Sequence, residues 1–170
     1  KLIVIGAGYI GLEMGTVWSR LGAGGEVIEY LPRILPGMDL EVANKFRAIL
    51  SKQGLKFHLG AAVKSAKSGR AGVTLTVADT KTGEEKDLLC DIALVSVGRK
   101  PNTENLGLDV LGVEMTDRGQ IVVDADFQTN IEDIFAVGDV IPGPMLAHKA
   151  EEDAIAAVEI MAGQAGHVDY

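Results

Sequence analysis

Leu2-Ile3-Val4-Ile5-Gly6-Ala7-Gly8-Tyr9-Ile10-Gly11-Leu12-Glu13 decides the fold. An apolar run suited to a buried strand passes directly into glycines at G-x-G-x-x-G spacing, and a helical pattern follows. Gly6 permits the tight turn out of the strand. Gly8 lets the backbone approach a diphosphate with no Cβ in the way, and Gly11 lets the helix pack closely on the strand. The helix begins where the phosphates would sit, so its first N–H groups and the positive end of its dipole meet negative charge. Strand, glycines and helix in this order predict a dinucleotide phosphate site.

Ile10, Met14, Val17 and Leu21 recur at helical spacing and predict one buried stripe, with Gly22 as the stop. Val27-Ile28-Glu29 predicts a second strand. Glu29 falls about 20 residues after the glycines, where a carboxylate accepts hydrogen bonds from both hydroxyls of an adenine ribose. It also repels a 2′-phosphate, so NAD is expected over NADP. Taken alone, Glu29 also reads as a surface acid at a strand end. Gly24-Gly25-Glu26 at the entrance predicts a short or frayed strand.

Residues 31–38, with two prolines and a glycine, predict a loop, and Asp39 a helix cap. Val42, Phe46, Ile49 and Leu50 predict the buried face of that helix, and Gly54 its end. Leu55, Phe57 and Leu59 alternate, as do Val73, Leu75 and Val77; Leu88-Leu89-Cys90 follows a turn at Thr82-Gly83. Together these predict an antiparallel meander attached to the nucleotide unit. Ile92-Ala93-Leu94-Val95-Ser96-Val97 predicts a parallel strand buried on both faces. Past Gly98 the pattern changes. Residues 103–120 read as loop, and Ile121-Val122-Val123 and Ile134-Phe135-Ala136-Val137 as short strands. A final helix starts near Met145–His148, with Ala150, Ala154, Ile155, Val158 and Met161 as its stripe. Glu151, Glu152 and Asp153 complement its dipole. The fold class is α/β. Residues 1–102 form a Rossmann-like domain, a parallel sheet with the meander inserted. Residues 103–170 are too thin for a complete doubly wound domain.

The net charge of −8 argues against nucleic acid as a partner, and the 5% aromatic content disfavours a stacking platform for single strands. No apolar stretch is long enough to span a bilayer, and no membrane partner is expected. Cys90 stands alone, so there is no disulfide framework and a reducing compartment fits; it reads as a small buried side chain. Trp18 and the methionines read as packing, and His58 and His167 as surface or strand positions. No metal site is expected. The chain opens inside a strand and without Met, which reads as a piece of something larger.

Four runs carry a family resemblance: Gly6 to Glu13, Leu35-Pro36-Gly37-Met38-Asp39, Ser96-Val97-Gly98-Arg99-Lys100-Pro101-Asn102, and Phe135 to Val140 continuing through Met145-Leu146-Ala147-His148-Lys149-Ala150-Glu151. In these the chain resembles the dihydrolipoamide dehydrogenases, flavoproteins of the pyridine nucleotide-disulfide oxidoreductase family that serve the 2-oxo-acid dehydrogenase complexes. The resemblance runs along the whole chain. The Gly143-to-His148 run separates it from glutathione and mercuric reductases, which share the glycine fingerprint.

The resemblance implies that Gly6, Ala7, Gly8, Tyr9, Ile10, Gly11, Leu12 and Glu13 cradle NAD, with Glu13 toward the nicotinamide. It implies that Glu29 holds the adenine ribose and that Val63 and Gly98 line the NAD cleft. Tyr9 falls where the family places a side chain over the flavin. Asp139 would bond the ribityl chain of FAD, and Met145, Leu146, Ala147 and His148 would bring backbone groups and a helix start to the flavin edge. Without the resemblance, Glu13 reads equally well as a solvated helix residue, Gly98 as a strand end, Asp139 as a turn acid and His148 as a surface residue.

The family's redox cysteine pair, first FAD fingerprint and His–Glu pair have no counterpart in these 170 residues, so no catalytic residue is expected here. The chain thus reads as the NAD domain (1–102) plus the returning, incomplete part of the FAD domain (103–170). The intact parent is expected to be a homodimer oxidising dihydrolipoamide on an E2 or H-protein with NAD as acceptor. The chain alone is expected to bind NAD(H) without catalysis. A cytoplasmic location is expected, or the mitochondrial matrix if the source is eukaryotic. A stand-alone NAD(H)-binding or sensing module, or a related NADH-dependent flavoprotein, is the alternative; Asp139 and Met145–His148 speak against the module.

Overall fold

The structure is a computed structural model that describes residues 1–168. It divides into two compact units, one from Lys1 to Gly98 and one from Arg99 onward. The first contains β1 (Leu2–Ile5), α1 (Tyr9–Arg20), β2 (Gly25–Glu29), α2 (Leu40–Lys52), β3 (Lys56–Leu59), β4 (Ala61–Gly69), β5 (Gly72–Asp79), β6 (Glu85–Cys90) and β7 (Ile92–Val95). One sheet has the order β3-β2-β1-β7, with every pairing parallel. The chain winds outward from β1 to β3, passes through the antiparallel β4-β5-β6, and returns as β7 on the other side of β1. The winding therefore reverses at β1, and in such sheets ligands sit beyond the carboxyl ends of the strands at that point.

Strand alternation divides the core. Leu2, Val4 and Val27 join Leu12, Ala43, Leu50 and Leu55 on the helix side. Ile3 and Ile28 join Ala61, Leu75, Val77 and Cys90 on the side of the antiparallel sheet. The central strands are thus covered on both faces, which explains their unbroken apolar runs. Burial pushes the Cys90 thiol up, against the charge of Lys1, which suits a packed side chain better than a nucleophile.

Several expected faces are corrected. Met14, Val17 and Leu21 are 40, 47 and 72% exposed, so they are not the buried stripe of α1, and Trp18, expected to pack, is 51% exposed. Gly11, Leu12 and Gly15 are buried instead. A Cβ on Gly15 would come within 3.3 Å of Val4 Cγ2, so the absence of side chains lets the helix approach the sheet. Helical periodicity is carried by large apolar residues, and a glycine contact surface leaves no mark in it. On α2, Ala43 and Leu50 are buried, whereas Val42, Phe46 and Ile49 are exposed to between 36 and 51%. The Asp39 cap is present, its carboxylate accepting the Val42 N–H at 3.0 Å.

β3 belongs to the parallel sheet rather than to the meander, and β4, which carries Lys64 and Lys67, is an additional strand. β7 is the sheet's edge: Ile92 and Val95 are 64 and 66% exposed, so the expected burial on both faces is absent in this chain. β2 is not frayed. It pairs along its length with β1 and with β3, and the Leu55 side chain packs directly against Gly25, where a Cβ would meet its Cδ2 at 2.4 Å.

Glu26 lies between Lys1 Nζ and His58 Nε2, each 2.8 Å away. Burial raises its carboxyl, but the hydrogen bonds and charges of Lys1 and His58 outweigh this and hold it below the ordinary glutamate range. A folded value below the unfolded one contributes stability above the unfolded value and loses it as pH falls through the folded value. Glu26→Gln is therefore expected to lower the urea midpoint at about pH 7, with the gap to the natural chain shrinking toward about pH 3. A gap independent of pH would assign the effect to shape instead of charge.

The second unit contains α3 (Leu108–Leu111), a 3-10 turn at Gly138–Val140 and α4 (Ala147–Met161). Its core is small: Val113, Ile121, Ala136 and Ile141. The two expected strands are reduced to single bridges, Met115 with Ile121 and Gln128 with Phe135. On α4, Ile155, Val158 and Met161 are exposed, and Lys149, Asp153, Ala156 and Ala157 are buried. Asp153 is thus a core residue and not a solvated dipole partner.

Candidate cofactor sites

The three fingerprint glycines play three different physical parts. Gly6 has φ +104°, and a Cβ on it would lie 2.3 Å from the Ser96 carbonyl oxygen. Gly11 packs so closely that a Cβ would lie 2.2 Å from the Gly6 carbonyl oxygen and 3.1 Å from Val4 Cγ1. Gly8, at φ −74°, meets nothing: a Cβ there would point into open space. Gly8 is also the N-cap of α1, and no side chain caps that helix. The close approach that only glycine allows at this position is left available to something outside the chain.

Glu29 ends β2 at the same edge of the sheet. Its Oε2 accepts the Ala7 N–H at 2.7 Å and its Oε1 the Leu31 N–H at 2.8 Å. The Ala7 carbonyl in turn accepts the Leu35 N–H at 2.9 Å, and the Gly6 N–H is donated to the Ile28 carbonyl at 2.8 Å. The glycine loop is therefore tied to β2 and to the loop after it. Leu35 takes φ +48° there, an uncommon conformation for a leucine.

The other expected NAD residues divide. Tyr9 and Glu13 are exposed on α1, and Ile10 is half-buried. Ala7 and Leu12 have core side chains, 0 and 1% exposed. Any part they take is confined to the backbone, where both polar groups of Ala7 are already bonded and the Leu12 N–H is donated to the Gly8 carbonyl. Gly98, at φ +125°, is exposed just past β7, at the edge of the sheet that carries the loop. Val63 lies on β4 and packs against the cluster of Ile3 and Ile28. A cavity of about 320 Å³ lies at the other end of α1, lined by Thr16, Ser19, Arg20, Gln53 and Leu55, away from these groups.

In the second unit, Asp139 occupies the 3-10 turn, and its Oδ2 lies 2.9 Å from Arg99 Nη2. Leu146 is the N-cap of α4 without a side-chain cap, Met145 and Leu146 are half-buried, and Ala147 and His148 are exposed at the helix start. Two ion pairs fall outside the sequence expectations, Arg99–Asp139 and the buried Lys149–Asp153. The latter was detectable as opposite charges four residues apart on a helix. Among the described residues no group of three or more His, Cys, Asp or Glu is placed to hold a metal ion, and no helix is long and apolar enough to cross a membrane.

A parallel sheet thus reverses its winding beside a three-glycine loop and a strand-end acid, an α/β architecture whose crevice lies at the carboxyl ends of the strands. The family model described as pyridine nucleotide-disulphide oxidoreductase matches residues 1–154, and the chain belongs to that family. It is 52% identical over its whole length to the mitochondrial dihydrolipoyl dehydrogenase of Pisum sativum and 51% identical to the leghemoglobin reductase of Glycine max. It covers 34 and 32% of their lengths, so the chain spans about a third of these relatives. Among solved structures, the HOCl-induced flavoprotein disulfide reductase RclA of Escherichia coli aligns with a TM-score of 0.86 and 27% identity, over 98% of this chain and 37% of that one. LpdA of Mycobacterium tuberculosis aligns with a TM-score of 0.86 and 26% identity, over 99% of this chain and 36% of that one. The expected cytoplasmic location finds no support in the curated relatives, several of which are named as mitochondrial.

Proposed function

We propose that the first unit binds NAD, with the diphosphate passing over Gly8 at the start of α1 and the adenine ribose on Glu29. The observation that carries this is the contrast among the glycines: Gly6 and Gly11 are filled around by the chain itself, and Gly8 faces open space. Gly6, Tyr9, Ile10, Gly11 and Glu13 complete the cradle, Ala7 and Leu12 support it from the core, and Val63 and Gly98 border the cleft. The second unit contains the returning part of an FAD domain, for which the proposed boundary follows residue 102. There Asp139 takes the ribityl chain, and Met145, Leu146, Ala147 and His148 bring the start of α4 to the flavin edge. The residues fit such a group: Asp139 is partly exposed on a turn, and α4 opens without a side-chain cap.

The intact protein, in this reading, oxidises dihydrolipoamide with NAD as acceptor. When bound, FAD supplies electron transfer between thiols and nicotinamide. This chain binds and orients the two cofactors, and the thiol chemistry belongs to residues outside it. A lipoyl-bearing E2 or H-protein is the proposed partner and a homodimer the proposed assembly. The names of the plant and animal relatives favour a mitochondrial location, and the matrix is the proposed compartment. Calorimetric titration of the chain with NAD and NADP tests the first step. Saturable NAD binding, tighter than NADP by at least about tenfold, is expected from the acid at the ribose. Absence of NAD binding, or equal affinity for NADP, would overturn the assignment.

A further inference from the structure

Asp153 and Lys149 are 0 and 6% exposed, one turn apart on the buried side of α4, and ion-paired. Asp153 Oδ2 also accepts the Gly138 N–H at 3.1 Å. Gly138 has φ +75°, and a Cβ on it would lie 3.0 Å from Ala150 Cβ, so the turn rests directly on the helix. The Lys149 stem lies beneath the next loop: a Cβ on Gly143 would meet its Cε at 3.4 Å. One side of α4 thus touches both segments assigned above to the flavin, at Gly138 before Asp139 and at Gly143 before Met145. As a stabiliser of α4 alone the pair is a poor choice, because apolar residues of similar volume are often neutral or better. What apolar residues cannot supply is an acceptor for the Gly138 N–H.

We propose that Asp153, held by Lys149, is a positioning residue that fixes the Gly138–Val140 turn and thereby aims Asp139 at the flavin. This rests on the reading that Asp139 and Met145–His148 hold FAD. Without the acceptor the turn keeps its hold at Val140 but loses it at Gly138, so the Asp139 carboxylate between them loses its set direction. The far end of the turn is held separately, the Val140 carbonyl accepting the Ile121 N–H at 2.8 Å, and the Arg99 contact holds the tip of the Asp139 side chain, so Asp153 is what fixes the entrance at Gly138.

The test uses the full-length flavoprotein, stripped of FAD and titrated with it by flavin fluorescence. Lys149→Met with Asp153→Asn removes both charges but keeps an amide oxygen for the Gly138 N–H. Lys149→Met with Asp153→Leu removes the acceptor as well. The Leu double variant is expected to raise the FAD dissociation constant by about tenfold or more, the factor for losing one hydrogen bond to a charged acceptor. The Asn double variant is expected to stay within about threefold of the natural protein. Circular dichroism of the apo-proteins separates this from loss of fold. Equal FAD affinity in two folded double variants overturns the proposal. Should the Leu variant not fold, hydrogen exchange at the Gly138 amide of the natural protein decides: protection supports the bond, and exchange at an open-loop rate overturns it. A natural apo-protein with no FAD affinity would sink the flavin reading itself, and the inference with it.

Discussion

Gly8→Ala is expected to weaken NAD binding by about a hundredfold with little loss of stability, and Gly11→Ala to lose both together. The geometry separates the two. An added Cβ at Gly8 enters open space at φ −74°, a conformation alanine adopts freely. Its stability cost is limited to alanine's poorer fit as an N-cap, up to about 1 kcal/mol. The methyl would, however, stand where the proposed diphosphate meets the first turn of α1. At Gly11 the same atom would lie 2.2 Å from the Gly6 carbonyl oxygen, so α1 must move off β1. Overpacking of this kind costs about 1–3 kcal/mol, and each kilocalorie lowers the melting temperature of a domain of this size by roughly 4–8 °C. Thermal melts and NAD titrations of both variants check the pair. Normal NAD affinity in Gly8→Ala would place the diphosphate elsewhere.

The distinction between these glycines was half legible in the sequence. Spacing announced the loop, and the apolar runs announced the strands, because both are local signals. What spacing does not carry is which surface a helix turns inward. Met14, Val17 and Leu21 make a regular stripe, yet α1 contacts β1 through Gly11 and Gly15, whose contribution lies in absent atoms. Ile155, Val158 and Met161 on α4 misled in the same way, while the polar Lys149 and Asp153 went inside. Burial of that pair depends on the Gly138 turn, 15 residues away in sequence, which no helical period reports. Glu29 was readable as an acid at the end of a strand. That its carboxylate also ties down the Ala7 N–H was not, because this contact exists only once β1 and β2 are paired.

This second duty of Glu29 sharpens what its substitution should do. Each carboxylate oxygen already accepts one backbone N–H, from Ala7 and from Leu31. A carboxylate offers about four lone-pair sites, so two remain for the hydroxyls of a ribose. Glu29→Gln leaves one acceptor oxygen and turns an NH₂ toward a backbone N–H, so the loop loses an anchor of about 1–2 kcal/mol. NAD affinity is expected to fall by roughly tenfold to thirtyfold. Glu29→Ala also removes the charge facing a 2′-phosphate, so the preference for NAD over NADP should fall by at least about tenfold, even though both cofactors bind more weakly than to a well-anchored loop. Loop anchoring and ribose contact are separated by a double cycle with an NAD analogue lacking the adenosine 2′-hydroxyl. The natural chain should lose affinity for that analogue, and Glu29→Ala should not distinguish it from NAD. If both proteins lose the same factor, Glu29 serves the loop alone and the sugar is held by other groups.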